Sequence, residues 1–285
     1  MSDGDDGTQP DHDEPVVGVV DPTDAVSISS ADDDTRELVD DGLDVSALES
    51  TLSTHDATLV VDTEATSVLD ADPVVVVAVG ETALAESARE SVTSDGQPPI
   101  LPVGSIPGLS TVAAESLPDA LAAVLAGEGE ATHCERPVLE CTATLADGSE
   151  TTVRALFDLT LAAAEPAAIS EFSVRSRGES VGSVRADGIV VATALGTHGY
   201  ASALESPRLS PVVDAVSVVP ISPFSTSSRQ WVLPPDEVVL TVDRDEQPVA
   251  LIADDQSVSH VAIGAPIMMS VVGLVSILCV PEIPL

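Results

Sequence analysis

The chain has 285 residues, of which 48 are acidic and 10 are basic, so its formal net charge at pH 7 is −38. A hydrophobic fraction of 44% excludes a largely disordered chain despite this charge, and the length is sufficient for two domains. All the basic residues are arginines and they form no basic cluster, which argues against a nucleic-acid partner.

The acidic residues are spread along the whole chain. Such a surface repels itself at low ionic strength, whereas at molar salt the Debye length falls to about 3 Å and the repulsion is screened. The composition therefore predicts a protein adapted to a high-salt cytoplasm. An acidic interaction protein is the alternative, but it would carry its carboxylates in blocks.

The N-terminus and the cysteines also favour a cytoplasmic protein. Residues 1–14 are acidic and polar, lack the pattern of a signal peptide, and are predicted to form a disordered tail. The three cysteines, Cys134, Cys141 and Cys279, lack the spacing of zinc ligands and are predicted to be free thiols. No metal-ligating residues are predicted from the sequence.

An uncharged run near the C-terminus, residues 261–281, is about long enough to cross a bilayer. However, Gly264-Ala265-Pro266 interrupts it early, and valine, isoleucine and serine dominate the remainder of the run. Two buried strands are therefore expected here, and no association with a membrane is predicted.

The first half of the chain alternates apolar, valine-rich runs with helical stretches. Strands are predicted at 15–20, 57–62, 72–80 and 98–104, and helices at 35–52, 81–92 and 117–125. This alternation is typical of a doubly wound, Rossmann-like α/β domain, expected over residues 15–128.

After Gly127-Glu128-Gly129 the pattern changes to short alternating strands with turn signals. No helix is predicted between this point and Gly196. A second, β-rich and sandwich-like domain is therefore expected over residues 129–285.

The segment RADGIVVATALGTHGY, residues 185–200, is the clearest candidate for contact with a ligand. Its strand ends in a loop with Gly196 and Gly199, and glycines let a backbone approach a ligand closely. Asp187 directly precedes the strand and could accept hydrogen bonds, while Tyr200, the only tyrosine, offers a flat face for a base. On these residues alone a structural glycine turn explains the pattern better.

The order of motifs, however, resembles the NAD kinase family. In that family a strand opens with Asp-Gly and runs into a Gly-Ser/Thr-Thr-Ala-Tyr loop, which ADGIVVATALGTHGY at 186–200 resembles. A Pro-x-x-Asp-Ala strand, a Pro-Ile/Cys-Pro loop and a Ser-x-Arg-x-x-Val-Leu-Pro segment come next, similar to PVVDAVSVVPISPFSTSSRQWVLP at 211–234. ADDQ at 253–256 resembles the family's Val-Asp-Gly-Gln turn, with Asp255 in place of the glycine.

This resemblance implies phosphoryl transfer from ATP, or another phosphate donor, to the adenosine 2′-hydroxyl of NAD, with Mg²⁺ as cofactor. It also implies a homo-oligomer, since the family usually forms dimers or tetramers. The nucleotide-binding residues that it implies are Asp158, Asp187, Gly196, Thr197, His198 and Tyr200.

The phosphate loop departs from the family pattern, which is Gly-Gly-Asp-Gly-Thr after an apolar strand. In the family the glycines let backbone amides hold phosphate at a helix start, and the aspartate is taken as the base. Without gaps, residues 78–82 of this chain fill the five positions as Ala-Val-Gly-Glu-Thr. With one residue deleted, Gly80 and Thr82 would contact phosphate and Glu81 becomes the candidate base.

Two further positions differ. LFDL at 156–159 occupies the place of the family's Asn-Glu/Asp motif, with Asp158 retained and Phe157 in place of asparagine. His198 replaces a threonine, and a lone histidine in a loop is more often an incidental side chain than an acid or base. Two hypotheses result: an NAD kinase, or a degenerate paralogue that binds or senses a nucleotide without turnover. A kinase with another acceptor, such as a lipid, ranks third, because the altered loop counts equally against it.

Overall fold

The structure is a computed structural model that describes residues 14–22, 43–94, 96–127, 132–165, 169–224, 229–245 and 247–279. Residues 1–13 of the predicted tail and residues 35–42 of the first predicted helix lie outside these ranges. Within the ranges described, no helix is both long and apolar enough to span a bilayer.

The first part of the chain forms a parallel sheet with helices on both faces. In sheet order its strands are β2 (Thr58–Asp62), β1 (Val16–Val20), β3 (Val75–Val79) and β4 (Ile100–Val103). The helices are α1 (Val45–Ser53), α2 (Ala65–Leu69), α3 (Gly80–Ser91) and α4 (Leu117–Leu125). Helices α1 and α4 cover one face of the sheet, and α2 and α3 cover the other. Because both faces are buried, the central strands are valine-rich and do not alternate apolar with polar residues. The predicted doubly wound α/β arrangement is confirmed.

The second part of the chain forms two antiparallel layers with an apolar core between them. Its strands are β5 (Thr132–Thr144), β6 (Glu150–Ala155), β7 (Asp158–Ala163), β8 (Ser170–Ser176), β9 (Glu179–Ala186), β10 (Gly188–Ala192), β11 (Val216–Ile221), β12 (Trp231–Leu233), β13 (Val238–Arg244), β14 (Val249–Ala253), β15 (Gln256–His260) and β16 (Pro266–Cys279). One layer has the order β12-β11-β10-β7-β14-β15, and β5, β6, β8, β9, β13 and β16 form the other. Phe172, Leu161 and Leu240 are among the side chains buried between them. The β-rich, sandwich-like second domain is therefore confirmed.

Strand β16 connects the two parts. It pairs antiparallel with β5 and β13, and its Ile277 pairs in parallel with Ile100 of β4, so one ten-stranded sheet runs through both domains. The prediction of two strands for 261–281 was wrong, because a single strand covers 266–279. The register of β16 against β5 shifts between Val271 and Gly273, and the two strands remain paired on both sides of this shift.

Candidate functional site

The site begins where β3 turns into α3. Gly80 has a φ of 80°, a left-handed conformation that glycine adopts without strain, and this lets the chain enter the helix directly after Val79. Val79 at the N-cap supplies no side-chain hydrogen bond to the helix. The first amides of α3 have no partner within the helix, so they are available to an anion.

A small cleft lies beside this helix start, between it, the turn at 156–158, the loop at 196–200 and the β14–β15 turn. Its lining residues are Glu81, Thr82, Ala85, Phe157, Asp158, Gly199, Tyr200, Asp254 and Asp255. The cavity volume is about 50 Å³. Pockets for whole ligands usually exceed about 300 Å³, so this cleft has room for only a small group in the conformation seen here.

Four of the predicted site residues meet in this cleft: Glu81, Thr82, Asp158 and Tyr200. Glu81 lies close to the glycine loop, since a Cβ atom built on Gly199 would be 3.8 Å from its Oε1. Tyr200 is 48% exposed at the start of α5 (Tyr200–Ala203), which leaves much of its ring open to a ligand.

Asp254 is a site residue to which the sequence alone assigned no role. Its Oδ2 accepts from the amide of Leu156 (2.8 Å), and its Oδ1 accepts from the amides of Phe157 (2.7 Å) and Asp158 (3.2 Å). The Nη1 of Arg89, on α3, donates to Oδ2 at 2.9 Å, and the Asp254 side chain is only 2% exposed. The ADDQ motif marked the turn, but nothing in it indicated these partners.

The β14–β15 turn places Asp254 and Asp255 with left-handed φ values of 44° and 67°. Two such residues in succession are typical of a tight hairpin turn, and aspartate tolerates this region better than most residues. The replacement of the family's glycine by Asp255 therefore keeps the turn and adds a carboxylate to the edge of the cleft.

Burial, together with neighbouring carboxylates, raises the pKa of two groups in the cleft. Burial raises the pKa of Asp158 to about 7, with smaller contributions from the negative charges of Asp254, Asp255 and Glu81 and an opposing hydrogen bond of 2.9 Å from the Thr160 hydroxyl. Burial, followed by the charges of Asp255 and Asp254, also raises the pKa of Glu81. A carboxyl group with a raised pKa is a better proton acceptor when it is ionised.

The structure offers no preformed metal cage in its described part. No group of three or more histidine, cysteine, aspartate or glutamate side chains among those residues is arranged to hold a metal ion. Asp254 in particular already uses both oxygens for hydrogen bonds.

Two predicted residues hold the glycine loop instead of lining the cleft. Gly196 packs against the turn at 156–158, since a Cβ atom there would lie 2.0 Å from the carbonyl oxygen of Phe157. Buried Thr197 donates its hydroxyl to the carbonyl of Ala194 (2.7 Å) and accepts from the amide of Leu209 (3.1 Å). Both residues fix the loop that carries Tyr200.

Two others lie outside the cleft. The ring of His198 faces the backbone of Gly108, in the loop that follows β4. Asp187 precedes β10 at the end opposite to the glycine loop, and β10 spans about 16 Å at roughly 3.3 Å per residue. Within one chain, the structure does not bring Asp187 or His198 together with Glu81.

Replacement of Gly196 by alanine is expected to lower the free energy of unfolding by about 3 kcal/mol, because the added methyl group overlaps the backbone of Phe157. Urea denaturation in molar KCl measures the effect. Gly199→Ala is the matched control, since its Cβ atom would meet nothing closer than 3.7 Å. Equal losses in the two variants would contradict this packing role.

The part of the chain that forms one side of the cleft is similar in sequence to known proteins. Residues 157–268 match the model of the ATP-NAD kinase C-terminal domain. The chain is 37% identical over 100 residues to the NAD kinase of Methanosarcina barkeri, which covers 35% of this chain and 36% of that protein. It is 33% identical over 157 residues to the NAD kinase of Gemmatimonas aurantiaca, covering 54% of this chain and 53% of that one.

Solved structures show the same fold over nearly the whole chain. Yeast NADH kinase complexed with NADH aligns with a TM-score of 0.74 at 15% identity, covering 95% of this chain and 85% of that one. An NAD kinase from Archaeoglobus fulgidus in complex with ATP aligns with a TM-score of 0.69 at 21% identity, covering 92% of each chain. By sequence, the match spans about a third of the Methanosarcina barkeri relative. Residues 157–268 therefore match the C-terminal domain of the NAD kinase family, and nearly the whole chain has the fold of the two solved kinases.

Proposed function

We propose that the protein transfers the γ-phosphoryl group of ATP to the adenosine 2′-hydroxyl of NAD, in a cytoplasm of high salt concentration. The observation that carries this proposal is that residues from the start of α3 and residues from the second domain line the same cleft. The start of α3 brings Glu81 and Thr82, and the domain that matches the family model brings Asp158 and Tyr200.

Each group in the cleft has a role that its chemistry fits. The first amides of α3, with Gly80 and the Thr82 hydroxyl, would bind phosphate oxygens. Glu81 would accept the proton of the 2′-hydroxyl while that oxygen forms its bond to phosphorus and ADP leaves. Asp158 would bind the ribose or an amide of the dinucleotide, and the exposed ring of Tyr200 would pack on a base.

The donor set also fits a Mg²⁺ ion that arrives with the nucleotide. Magnesium in phosphoryl-transfer sites is usually held by one or two carboxylates together with substrate phosphates. Asp255 is exposed at the edge of the cleft, and it would supply such a carboxylate. When bound, the ion would neutralise charge on the transferred group.

Two similar structures support the substrate classes, since one was solved with NADH and the other with ATP. The cavity of about 50 Å³ is too small for either molecule, so productive binding requires the cleft to open. Positioning contributes most to phosphoryl transfer, and the widened cleft must then close around aligned reactants.

The proposal is tested by incubating the purified protein with NAD, ATP and Mg²⁺ in molar KCl and measuring NADP. Formation of NADP that depends on all three components is the expected result. Measurable NAD binding without turnover would overturn the kinase activity and leave a nucleotide-binding paralogue. Absence of NAD binding would overturn both functions.

A further inference from the structure

Asp254 and Arg89 form an ion pair between the two domains. Arg89 lies on α3, eight residues after Glu81, and Asp254 lies in the turn after β14. The two side chains are 12% and 2% exposed, and their atoms are 2.9 Å apart. A buried pair of this kind is tolerated only when its geometry is well satisfied, because both charges have left water.

The same carboxylate of Asp254 holds the turn that precedes β7. It accepts the amides of all three residues of that turn, Leu156, Phe157 and Asp158. The Asp254 amide in return donates to the Asp158 carbonyl at 3.1 Å. Asp158, one of the carboxylates that line the cleft, is thus fixed through its own backbone.

The opposite side of this turn is held as well. The Thr193 hydroxyl donates to the carbonyls of Leu156 (2.8 Å) and Phe157 (3.2 Å), and the Thr193 amide donates to Phe157 at 2.9 Å. The amides of the turn are therefore bound to Asp254 and two of its carbonyls to Thr193. Asp254 also forms an ion pair with Arg89 on α3, the helix that begins at the phosphate loop.

We propose that Asp254 is a positioning residue for the phosphoryl transfer, which acts through Arg89 on one side and the 156–158 turn on the other. It holds the helix that carries Glu81 in fixed register with the turn that carries Asp158. This inference rests on the proposed function, since the fixed separation matters only if both carboxylates act on one substrate.

The test compares Asp254→Asn, Arg89→Gln and the double variant with the wild-type protein. Asp254→Asn and Arg89→Gln are each expected to lower kcat by about 100-fold, as misplacement of reacting groups does, with a smaller change in KM for NAD. The double variant is expected to lose no more than Asp254→Asn, because both changes break one link. Arg89→Lys, which keeps the charge, is expected to restore part of kcat.

Arg177→Gln is the matched control. Arg177 pairs with Asp236 at 2.9 Å, but these side chains are 61% and 56% exposed and neither lines the cleft. Its kcat is expected to stay at the wild-type value. Unchanged kcat in Arg89→Gln, or a loss equal to that of the control, would overturn the positioning role.

A second measurement does not depend on turnover. Amide hydrogen exchange of Leu156, Phe157 and Asp158 is expected to become faster in Arg89→Gln, although Arg89 itself contacts none of these amides. If the wild-type protein formed no NADP, the proposed function would fail, while faster exchange would still support the link between α3 and the turn. Unchanged exchange in that variant would overturn the link itself.

Discussion

Replacement of Glu81 by glutamine is expected to lower kcat for NADP formation by about 10²–10⁴-fold. The amide has nearly the same shape as the carboxylate but cannot accept the proton of the 2′-hydroxyl. Since KM for NAD depends mainly on other contacts in the cleft, it should change much less. Steady-state measurement in molar KCl separates the two parameters.

Glu90→Gln is the control for this experiment, because Glu90 is exposed on the same helix and does not line the cleft. A wild-type kcat in Glu81→Gln would remove Glu81 as the base. The pH profile gives a second check. Because burial and the charges of Asp255 and Asp254 raise the pKa of Glu81, activity should rise with pH through a midpoint above the ordinary value of 4.5.

Replacement of Asp158 by asparagine is expected to increase the free energy of unfolding at pH 8 by about 4 kcal/mol. Burial raises the pKa of Asp158 from 3.8 to about 7, and each pH unit between the two values corresponds to about 1.4 kcal/mol. Above pH 7 the wild-type protein bears the cost of a buried charge, which the neutral amide does not carry. Urea denaturation as a function of pH measures the difference.

Because the pKa of Asp158 is raised in the folded protein, the stabilisation of Asp158→Asn relative to wild type is confined to high pH. The folded state of the wild-type protein binds the proton more tightly than the unfolded state, so the favourable contribution of Asp158 is complete below pH 4 and is lost as the pH rises through 7. The stabilities of wild type and variant should therefore converge below pH 4. Asp236→Asn is a control of opposite sign, since the hydrogen bond from Arg177 lowers the pKa of that carboxyl. A pH-independent difference for Asp158→Asn would contradict the raised pKa.

Much of the fold was predictable because local patterns determined it. Strands β3 and β4 are uninterrupted apolar runs, and helix α4 begins and ends at the predicted residues, 117 and 125. The five-residue helix α2 was missed, since so short a segment has too little periodicity to detect. The length of β16 was also missed, because its pairing partners lie far away in the sequence.

The candidate site was predictable only where a motif marked it. Family resemblance indicated Glu81, Thr82, Asp158 and Tyr200, and the structure places these four in one cleft. The resemblance gave no role to Asp254, whose hydrogen-bond partners lie 96 to 165 residues earlier in the chain. Contacts over such separations depend on how the domains pack, and no local pattern encodes them.

The strand shared by both domains limits how the cleft can open. In many two-domain enzymes a flexible connection lets the halves rotate apart as rigid bodies. Here β16 is hydrogen-bonded to β5 and β13 on one side of the boundary and reaches β4 on the other, so such a rotation would have to break a continuous sheet. Admission of a nucleotide must instead come from local shifts of the surrounding turns and side chains. The exposed Tyr200 and Asp255, at the edge of the cleft, are the parts freest to make them.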